Sequence, residues 1–287
     1  MLEPRAGQAF KRGEARPRVA EVRVLYVGDA GLVFGPLIFE SPFLIEVKDA
    51  YVREWGSYLV EAVRKADPGI SIDYVRTVDA YRLFPRDCGE LRKYDVLILS
   101  DVSSEVLAFY PEFFPIEQLR EVELLEKGRY VGMPNRLKLI KRFVEEGGGL
   151  AMCGGWYSFS GRFGQGAWYG TPVAEVLPVE LARGDDRVEA PDGAFVKVAD
   201  AGHPVVRGVP WETCPPFLGY NKLKPKPGAQ VLATIGEGDP FIVVWERGGR
   251  VMAFASDPVL HWGINFVEWE HYGRFWAQAI RWLAKKL

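Results

Sequence analysis

The chain has few cysteine and histidine residues for its length. Its 287 residues include three of each. The cysteines, Cys88, Cys153 and Cys214, are odd in number and far apart, which argues against a disulfide framework and indicates a reducing, cytoplasmic environment. The histidines lack the paired spacing that metal ligands usually show. We therefore predict no metal site and no other cofactor.

The sequence also lacks a long apolar run and an excess of basic residues. No segment approaches the ~20 apolar residues of a membrane-spanning helix, so no membrane partner is expected. The net charge of -2 argues against nucleic-acid binding. Residues 1–20 have five basic side chains but no apolar signal-peptide core, and we interpret them as a polar tail. A hydrophobic content of 48% is enough for one large core, which we assign to residues 21–287.

Short apolar strands alternate with amphipathic helices in the first half of the chain. Residues 22–27 form a near-continuous apolar run that ends at Gly28-Asp29, which is typical of a strand buried on both faces. Apolar residues at helical spacing over 52–66 predict an amphipathic helix. Further strands are predicted over residues 70–75, 96–99 and 150–153. This order favours an α/β fold with a doubly wound, mostly parallel sheet.

After Pro172 the pattern changes to short β segments. Residues 247–250 (Arg-Gly-Gly-Arg) are a hairpin turn signal. The strands around it are predicted over residues 195–198, 230–234, 241–245 and 251–255. Since no polar linker separates the two halves, we expect an antiparallel extension of the same sheet, closed by a C-terminal amphipathic helix.

A glycine-rich segment over residues 147–161 is the most informative part of the chain. It reads GGGLAMCGGWYSFSG, so a short apolar strand ends in a cysteine followed by two glycines. The pairs Gly28-Asp29 and Ser100-Asp101 and the segment GTPVAEVLPV at 170–179 accompany it. Together these residues resemble the putative glutamine amidotransferase family of the class I glutamine amidotransferase-like superfamily. The resemblance spans about residues 20–287 and implies a flavodoxin-like core.

The resemblance implies cysteine chemistry at the end of the strand. In such enzymes a thiolate attacks the carboxamide of glutamine, a histidine carries the proton, and backbone amides stabilise the oxyanion. Cys153 matches the nucleophile, and the amide of Gly154 is the matching oxyanion donor. The superfamily keeps its histidine in a His-Pro-Glu segment after a late strand, but residues 256–259 of this chain read Ser-Asp-Pro-Val.

The residues that would complete this chemistry also have structural interpretations. His261, four residues after Asp257, is the candidate base, but it is equally suited to cap the following helix. Its acid partner would be Asp257, Glu268 or Glu270. A cysteine at a strand end is often only a small buried side chain. A shift of one residue would place Gly154 at the turn and leave Cys153 in the strand.

Further candidate residues are expected at the same edge of the sheet. Asp29 and Asp101 directly follow their strands, so they should lie near Cys153 and either bind a substrate hydroxyl or a cation, or cap a helix. Trp156 and Ser158, from the aromatic loop at 154–170, complete the candidate substrate-binding set. That loop is typical of a ligand-binding wall or of a subunit contact, and we expect a homo-oligomer.

Two functions stay open at this point. The first is a cysteine-dependent amide hydrolase or amidotransferase of unknown substrate. The second is a non-catalytic module that kept the fold and binds a small molecule, such as a carbohydrate, or another subunit. The intact cysteine turn favours the first function, and the missing His-Pro-Glu segment favours the second.

Overall fold

The computed structural model describes residues 21–34, 37–41, 44–47, 50–113 and 132–287. The polar tail predicted over residues 1–20 lies outside the described residues. In these ranges the strands are β1 Val22–Gly28, β2 Ala30–Phe34, β3 Leu37–Ser41, β4 Leu44–Val47, β5 Ala50–Glu54, β6 Ile70–Arg76, β7 Val96–Ser100, β8 Gly149–Cys153, β9 Val179–Glu180, β10 Arg187–Ala194, β11 Val196–Val198, β12 Phe217–Asn221, β13 Lys224–Pro225, β14 Gln230–Ile235, β15 Asp239–Arg247 and β16 Gly249–Phe254. The α-helices are α1 Ser57–Ala66, α2 Thr77–Leu83, α3 Cys88–Leu91, α4 Ser104–Ala108, α5 Arg136–Glu145, α6 Pro172–Val176 and α7 Tyr272–Leu283.

Eight strands form the central sheet, in the order β11-β14-β15-β16-β8-β7-β1-β6. The five strands from β16 to β6 are parallel, and β11, β14 and β15 extend the sheet in antiparallel fashion. Every residue of β7 and β8 is buried, because a parallel sheet has both faces covered and its strands are apolar throughout. The predicted mixed α/β fold, with a mostly parallel sheet and an antiparallel extension, is confirmed.

The helix predicted over residues 52–66 is partly wrong. The helix α1 begins only at Ser57, and the residues before it form β5, which pairs with β2. The backbone amide of Trp55 donates to the carbonyl oxygen of Asp29 at 2.9 Å, so the chain returns to the end of β1 before the helix begins. Val52 lies in the two-stranded ribbon of β2 and β5, and Trp55 lies in the turn that follows it. Their helix-like spacing therefore does not mark a helix, because cross-strand pairing overrides helical periodicity.

The C-terminal half closes the core with aromatic side chains. The hairpin predicted at 247–250 joins β15 to β16, and Val251 then pairs in parallel with Leu150 of β8. Phe254 contacts a cluster of aromatic rings from the surrounding elements: Phe217, Phe241, Phe266, Phe275 and Trp276. Each large apolar side chain buried in this way contributes about 1.5–3 kcal/mol to folding. None of the helices described here is long and apolar enough to span a membrane.

The register of the sheet determines which side chains meet at its carboxyl edge. The last row of paired residues runs across β1, β7, β8 and β16 and consists of Gly28, Ser100, Cys153 and Phe254. Asp29, Asp101 and Gly154 follow these residues directly in the chain. The expectation that Asp29, Asp101 and Cys153 meet at one edge of the sheet is therefore confirmed.

Candidate functional site

Asp101 is held in an uncommon backbone conformation at the end of β7. Its φ is +41°, in the left-handed region that aspartate tolerates better than most side chains. Its backbone amide donates to Ser158 Oγ at 2.9 Å, and its Oδ1 accepts from the amide of Tyr157 at 2.8 Å. These contacts tie the strand end to the aromatic loop and orient the carboxyl group.

Asp257 and His261 form an oriented pair at the neighbouring strand end. His261 Nδ1 lies 2.9 Å from Asp257 Oδ2, which also accepts from the amide of Trp262 at 2.9 Å. The carboxylate is fully buried, whereas the side chain of His261 is 44% exposed. Of the three acids expected as partners of this histidine, the structure thus places Asp257 beside it. A buried acid with two donors fixes the imidazole ring and leaves Nε2 to face a ligand.

Gly155 lies where the two acids converge. A Cβ atom at this residue would lie 2.6 Å from Asp101 Oδ1 and 2.6 Å from Asp257 Oδ1, so these two oxygen atoms are near neighbours. Its φ of +132° is also a conformation that side-chain-bearing residues rarely adopt. The sequence showed Gly155 only as one glycine among many, and its role between the carboxyl groups depends on strands that are remote in sequence.

The clustered carboxyl groups change the titration of the site. Burial and the nearby Asp257 raise the pKa of Asp101 to about 7. Burial and Asp101 also raise the pKa of Asp29 well above its usual range. Burial by itself would lower the pKa of His261, but the hydrogen bond to Asp257 and the surrounding negative charges raise it overall. Asp101 therefore titrates close to neutral pH, and the pKa of His261 lies above that of a free histidine.

Three side chains, which we call the floor, lie behind these groups. Asp29, Cys153 and Asp257 are each at most 1% exposed. The Tyr26 hydroxyl donates to Asp29 Oδ2. Asp29 Oδ1 and Asp257 Oδ1 have no hydrogen-bond partner among the described residues. Buried oxygens of this kind are unfavourable unless a proton, a water molecule or a ligand satisfies them.

The environment of Cys153 is that of a small buried side chain. It is the last residue of β8 and is fully buried. Burial and the charges of Asp29 and Asp257 raise the pKa of its thiol well above its usual range, whereas a nucleophilic thiol needs a lowered one. The amide of Gly154 donates to the carbonyl oxygens of Phe254 and Ser256, at 2.8 and 2.9 Å, rather than towards an oxyanion. The catalytic assignment of Cys153 and Gly154 stays a prediction.

A pocket of about 1040 Å³ opens at this edge of the sheet. Its polar lining includes Asp101 and His261, which we call the polar wall. A further set of rings, which we call the aromatic wall, consists of Trp55, Trp156, Tyr157 and Phe163. Ser158, expected among the substrate-binding residues, is 1% exposed and holds the backbone of Asp101 instead. Of the predicted site residues, Asp101, Trp156 and His261 line the pocket.

The ring of Trp156 is held in place from several sides. It meets the His261 ring edge-on, with centroids 4.8 Å apart, and the Arg162 guanidinium lies 4.6 Å from its centroid. Its Nε1 donates to Glu189 Oε1 at 3.2 Å, and Trp262 Nε1 donates to the other oxygen of Glu189 at 2.9 Å. This part of the aromatic wall is therefore ordered before any ligand binds.

Two buried residues that the sequence did not indicate support the loop. Asn221 accepts from the amide of Gly155 at 3.0 Å and donates to Asp186 at 2.8 Å. Asp186 in turn accepts from the amides of Ser160 and Gly161, at 3.0 and 2.8 Å. An isolated Asn or Asp has no spacing that would single it out, so no sequence signal pointed to them.

The acids at this edge are candidate metal ligands by residue type. Over the described parts of the chain, no group of three or more His, Cys, Asp or Glu side chains is arranged to hold a metal ion. Asp29 and Asp257 each keep one oxygen without a partner among the described residues. The side chains of Asp101 and His261, which line the pocket, can transfer protons and form hydrogen bonds.

One family model and two solved structures match most of the chain. A family model described as putative glutamine amidotransferase matches residues 48–285. The solved structure of "Cytoplasmic Protein STM3548 from Salmonella typhimurium" is 32% identical, with a TM-score of 0.79, and the match covers 91% of this chain and 98% of that one. "Cytoplasmic Protein STM1381 from Salmonella typhimurium LT2" is also 32% identical, with a TM-score of 0.77, over 91% and 99% of the two chains.

A more distant likeness concerns the fold alone. A structure described as a putative ThuA-like protein from Bacteroides uniformis is 12% identical, with a TM-score of 0.51, over 96% of this chain and 95% of that one. Among curated proteins, no match to the sequence was found. What the site does must therefore be argued from its own residues.

Proposed function

The chain belongs to the putative glutamine amidotransferase family, and we propose that it binds a small, hydroxyl-rich molecule of the carbohydrate class in the pocket at the carboxyl edge of its sheet. The observation that carries this proposal is the lining itself, in which aromatic rings and hydrogen-bonding side chains face one cavity. Pockets for small ligands combine an apolar surface with a few placed polar groups, and their usual volumes of about 300–1,000 Å³ are close to this one.

The composition of the lining fits the two kinds of surface that a sugar presents. The C–H faces of a sugar ring pack on aromatic side chains such as Trp156, whose orientation is already fixed. Its hydroxyl groups both donate and accept hydrogen bonds, which Asp101, Gln165 and His261 are able to match. The order β6-β1-β7-β8-β16 of the parallel strands corresponds to that of flavodoxin-like folds, whose ligands bind at this same edge.

The test is a binding titration with a small panel of probes. We expect at least one of D-glucose, D-fructose, trehalose and dihydroxyacetone to give saturable binding at millimolar concentration, followed by tryptophan fluorescence or saturation-transfer NMR. Trp156→Leu should weaken that binding about tenfold or more, because one stacked aromatic ring contributes on the order of 1–2 kcal/mol. Phe195→Leu is the matched control, since Phe195 is 58% exposed and lies outside the pocket lining. Absence of saturable binding by all four probes would contradict the proposal.

Amide hydrolysis through Cys153 is the second candidate function. The position of Cys153 at the carboxyl end of β8, beside the pocket, favours it. It requires the thiol to become exposed and ionised, against the burial and the neighbouring acids that raise its pKa. Release of ammonia from L-glutamine that disappears in Cys153→Ala, but persists in Cys88→Ala, would establish this function in place of carbohydrate binding.

A further inference from the structure

Two titratable side chains with complementary chemistry face the pocket together. Asp101 and His261 both belong to its lining, whereas Asp257 and Cys153 lie behind it. Asp101 comes from the end of β7, and His261 follows β16, two strands away in the sheet. A ligand in the pocket therefore meets the imidazole of His261 and the carboxyl groups of Asp101 and Glu105.

The imidazole is oriented to accept a proton. Because His261 Nδ1 is engaged by Asp257 Oδ2 at 2.9 Å, the nitrogen presented to the pocket is Nε2. Asp257 also accepts from the amide of Trp262, so it is itself fixed. Its negative charge stabilises the protonated imidazole, and this makes His261 a stronger base than a free histidine. Asp257 thus acts as a positioning residue.

The carboxyl group is placed to give a proton. Asp101 Oδ1 accepts from the Tyr157 amide, and a backbone hydrogen bond from Trp156 also reaches this carboxyl group. The transferable proton is assigned to Oδ2. Asp257 is a near neighbour across Gly155, and two acids at that separation do not both ionise readily in a buried environment. Glu189 adds further negative charge near His261. The neutral form of Asp101 is therefore favoured up to about neutral pH.

We propose that Asp101 and His261 form a general acid–base pair that catalyses enolisation of a small hydroxycarbonyl compound, such as a ketose, bound in the pocket. This inference rests on the proposed binding of a hydroxyl-rich molecule. It adds a reaction that needs neither a thiolate nor a cofactor.

Each proton and each electron pair has a defined place in this step. His261 Nε2 takes the proton from the carbon next to the carbonyl group, and the C–H electron pair becomes the C=C bond of an enediol. The carbonyl oxygen takes the proton from Asp101 Oδ2, which becomes a carboxylate. Protonated His261 returns its proton to one of the two carbons, while the Asp101 carboxylate takes the proton from the enediol hydroxyl on the other carbon, where the C=O bond forms. This restores the ketose or gives its aldose isomer and regenerates both groups, with no net oxidation or reduction.

The arrangement fits proton transfer better than displacement at carbon. A double displacement through the thiol would need Cys153 to reach the substrate. Cys153 and Asp257 are fully buried and lie outside the pocket lining, whereas Asp101 and His261 belong to it. Proton transfer needs only an acid and a base that reach the substrate.

The experiment measures hydrogen exchange at carbon in D₂O. Dihydroxyacetone and D-fructose are incubated with the full chain at neutral pH, and loss of the C–H signals next to the carbonyl group is followed by proton NMR. We expect exchange well above the protein-free rate. Asp101→Asn should lower it by about 10²–10⁴-fold, the usual contribution of a placed acid or base. His261→Gln should have an effect of similar size.

Asp101→Asn separates chemistry from folding. Asparagine also tolerates a positive φ, and its side-chain oxygen can still accept from the Tyr157 amide. Asp192→Asn is the matched control, because Asp192 is exposed and distant from the pocket lining. In Asp257→Asn the lost charge should lower the pKa of His261, so that the acidic limb of the pH–rate profile moves to lower pH, which a purely structural role would not produce.

The outcomes distinguish the inference from the function on which it rests. Saturable binding of dihydroxyacetone or D-fructose, without exchange above the level of Asp101→Asn, would overturn the acid–base inference and leave carbohydrate binding intact. No binding of either ketose, together with binding of D-glucose or trehalose, would also overturn the inference alone. If none of the probes binds, both proposals fail.

Discussion

Asp29 and Asp101 occupy equivalent positions at the ends of β1 and β7, but their surroundings differ. Both directly follow a strand, and their φ values are +46° and +41°. Asp29 is only 1% exposed. Trp55, after β5, and Tyr74, in β6, both donate to its carbonyl oxygen. Asp101 borders the aromatic loop and lines the pocket. Residue type and strand-end position therefore do not decide access to the ligand; the covering segments do.

Cys153 extends the comparison to a third strand end, on β8. Cys153 is the last residue of β8 and pairs with Ser100, the last residue of β7. Asp29 and Asp101 instead lie one residue beyond the ends of their strands. That single step places the thiol within the sheet rather than beyond it. The floor and the polar wall thus differ in burial although they share one edge, and each prediction below tests that difference.

The largest effect is expected in cysteine alkylation. In the native protein, iodoacetamide should label Cys88, which is only partly buried, at least about 100-fold faster than Cys153, because the attacking species is an exposed thiolate. Cys214 should also react slowly, since burial raises its pKa to about 12. Peptide mass spectrometry over time provides the rates. Preferential labelling of Cys153 would mean that the floor is accessible.

The next effect concerns the residue between the floor and the polar wall. Gly155→Ala should lower the free energy of unfolding by about 3 kcal/mol or more, because its Cβ would clash with Asp101 and Asp257 and its positive φ would be strained. Gly170→Ala is the matched control: its φ is also positive, at +71°, but nothing lies within 4 Å of the added Cβ. There we expect a loss of about 1 kcal/mol. Denaturant unfolding measures both, and equal losses would disprove the close contact.

A smaller effect should appear in the pH dependence of stability. Because the pKa of Asp101 is about 7 in the folded chain and near 4 when unfolded, the folded state binds an extra proton between these values. The stability that depends on this proton is fully present below about pH 4 and is lost as the pH rises to 7 and beyond. Asp101→Asn removes this loss, so its stability relative to the native chain should increase by roughly 2 kcal/mol between pH 5 and 8.

The control for the loss of a carboxyl group is Asp192→Asn, at an exposed position of β10. The gain in relative stability between pH 5 and 8 should be larger for Asp101→Asn than for this control. Thermal or urea unfolding at several pH values measures both variants. A gain that is no larger for Asp101→Asn would contradict the raised pKa of Asp101.

The smallest effect is expected from the acid behind the aromatic wall. Glu189 accepts from Trp156 and Trp262, and its charge helps to raise the pKa of His261. Glu189→Gln keeps an acceptor but removes the charge, so the pKa of His261 should fall slightly, because Glu189 is the weakest of the causes that raise it. An NMR titration of the imidazole protons measures this shift. His271 provides an internal control in the same spectra, because it pairs with Glu270 instead.

The sequence predicted the sheet better than it predicted the site. The buried strands β1, β7 and β8 follow from runs such as Val96–Ser100, because unbroken apolar segments bounded by glycine and polar residues have few alternatives. The helix prediction over residues 52–66 failed at its beginning for a related reason. Val52 and Trp55 match a helical period, although the segment that contains them forms a ribbon and a turn. Periodicity reports which side chains are apolar, but it does not report their partners.

For the site, the sequence by itself determined the set of chemical groups and the edge at which they gather. Strand-end acids, a cysteine turn and an aromatic loop must meet where parallel strands end, because register and chain direction impose this. Only the tertiary structure decided that Asp257 pairs with His261, that Gly155 separates two carboxyl groups, and that Cys153 is enclosed. The close approach of Asp101, Gly155 and Asp257 joins residues far apart in the chain. Burial and neighbouring charges, which together set each pKa, depend on everything that packs around a side chain.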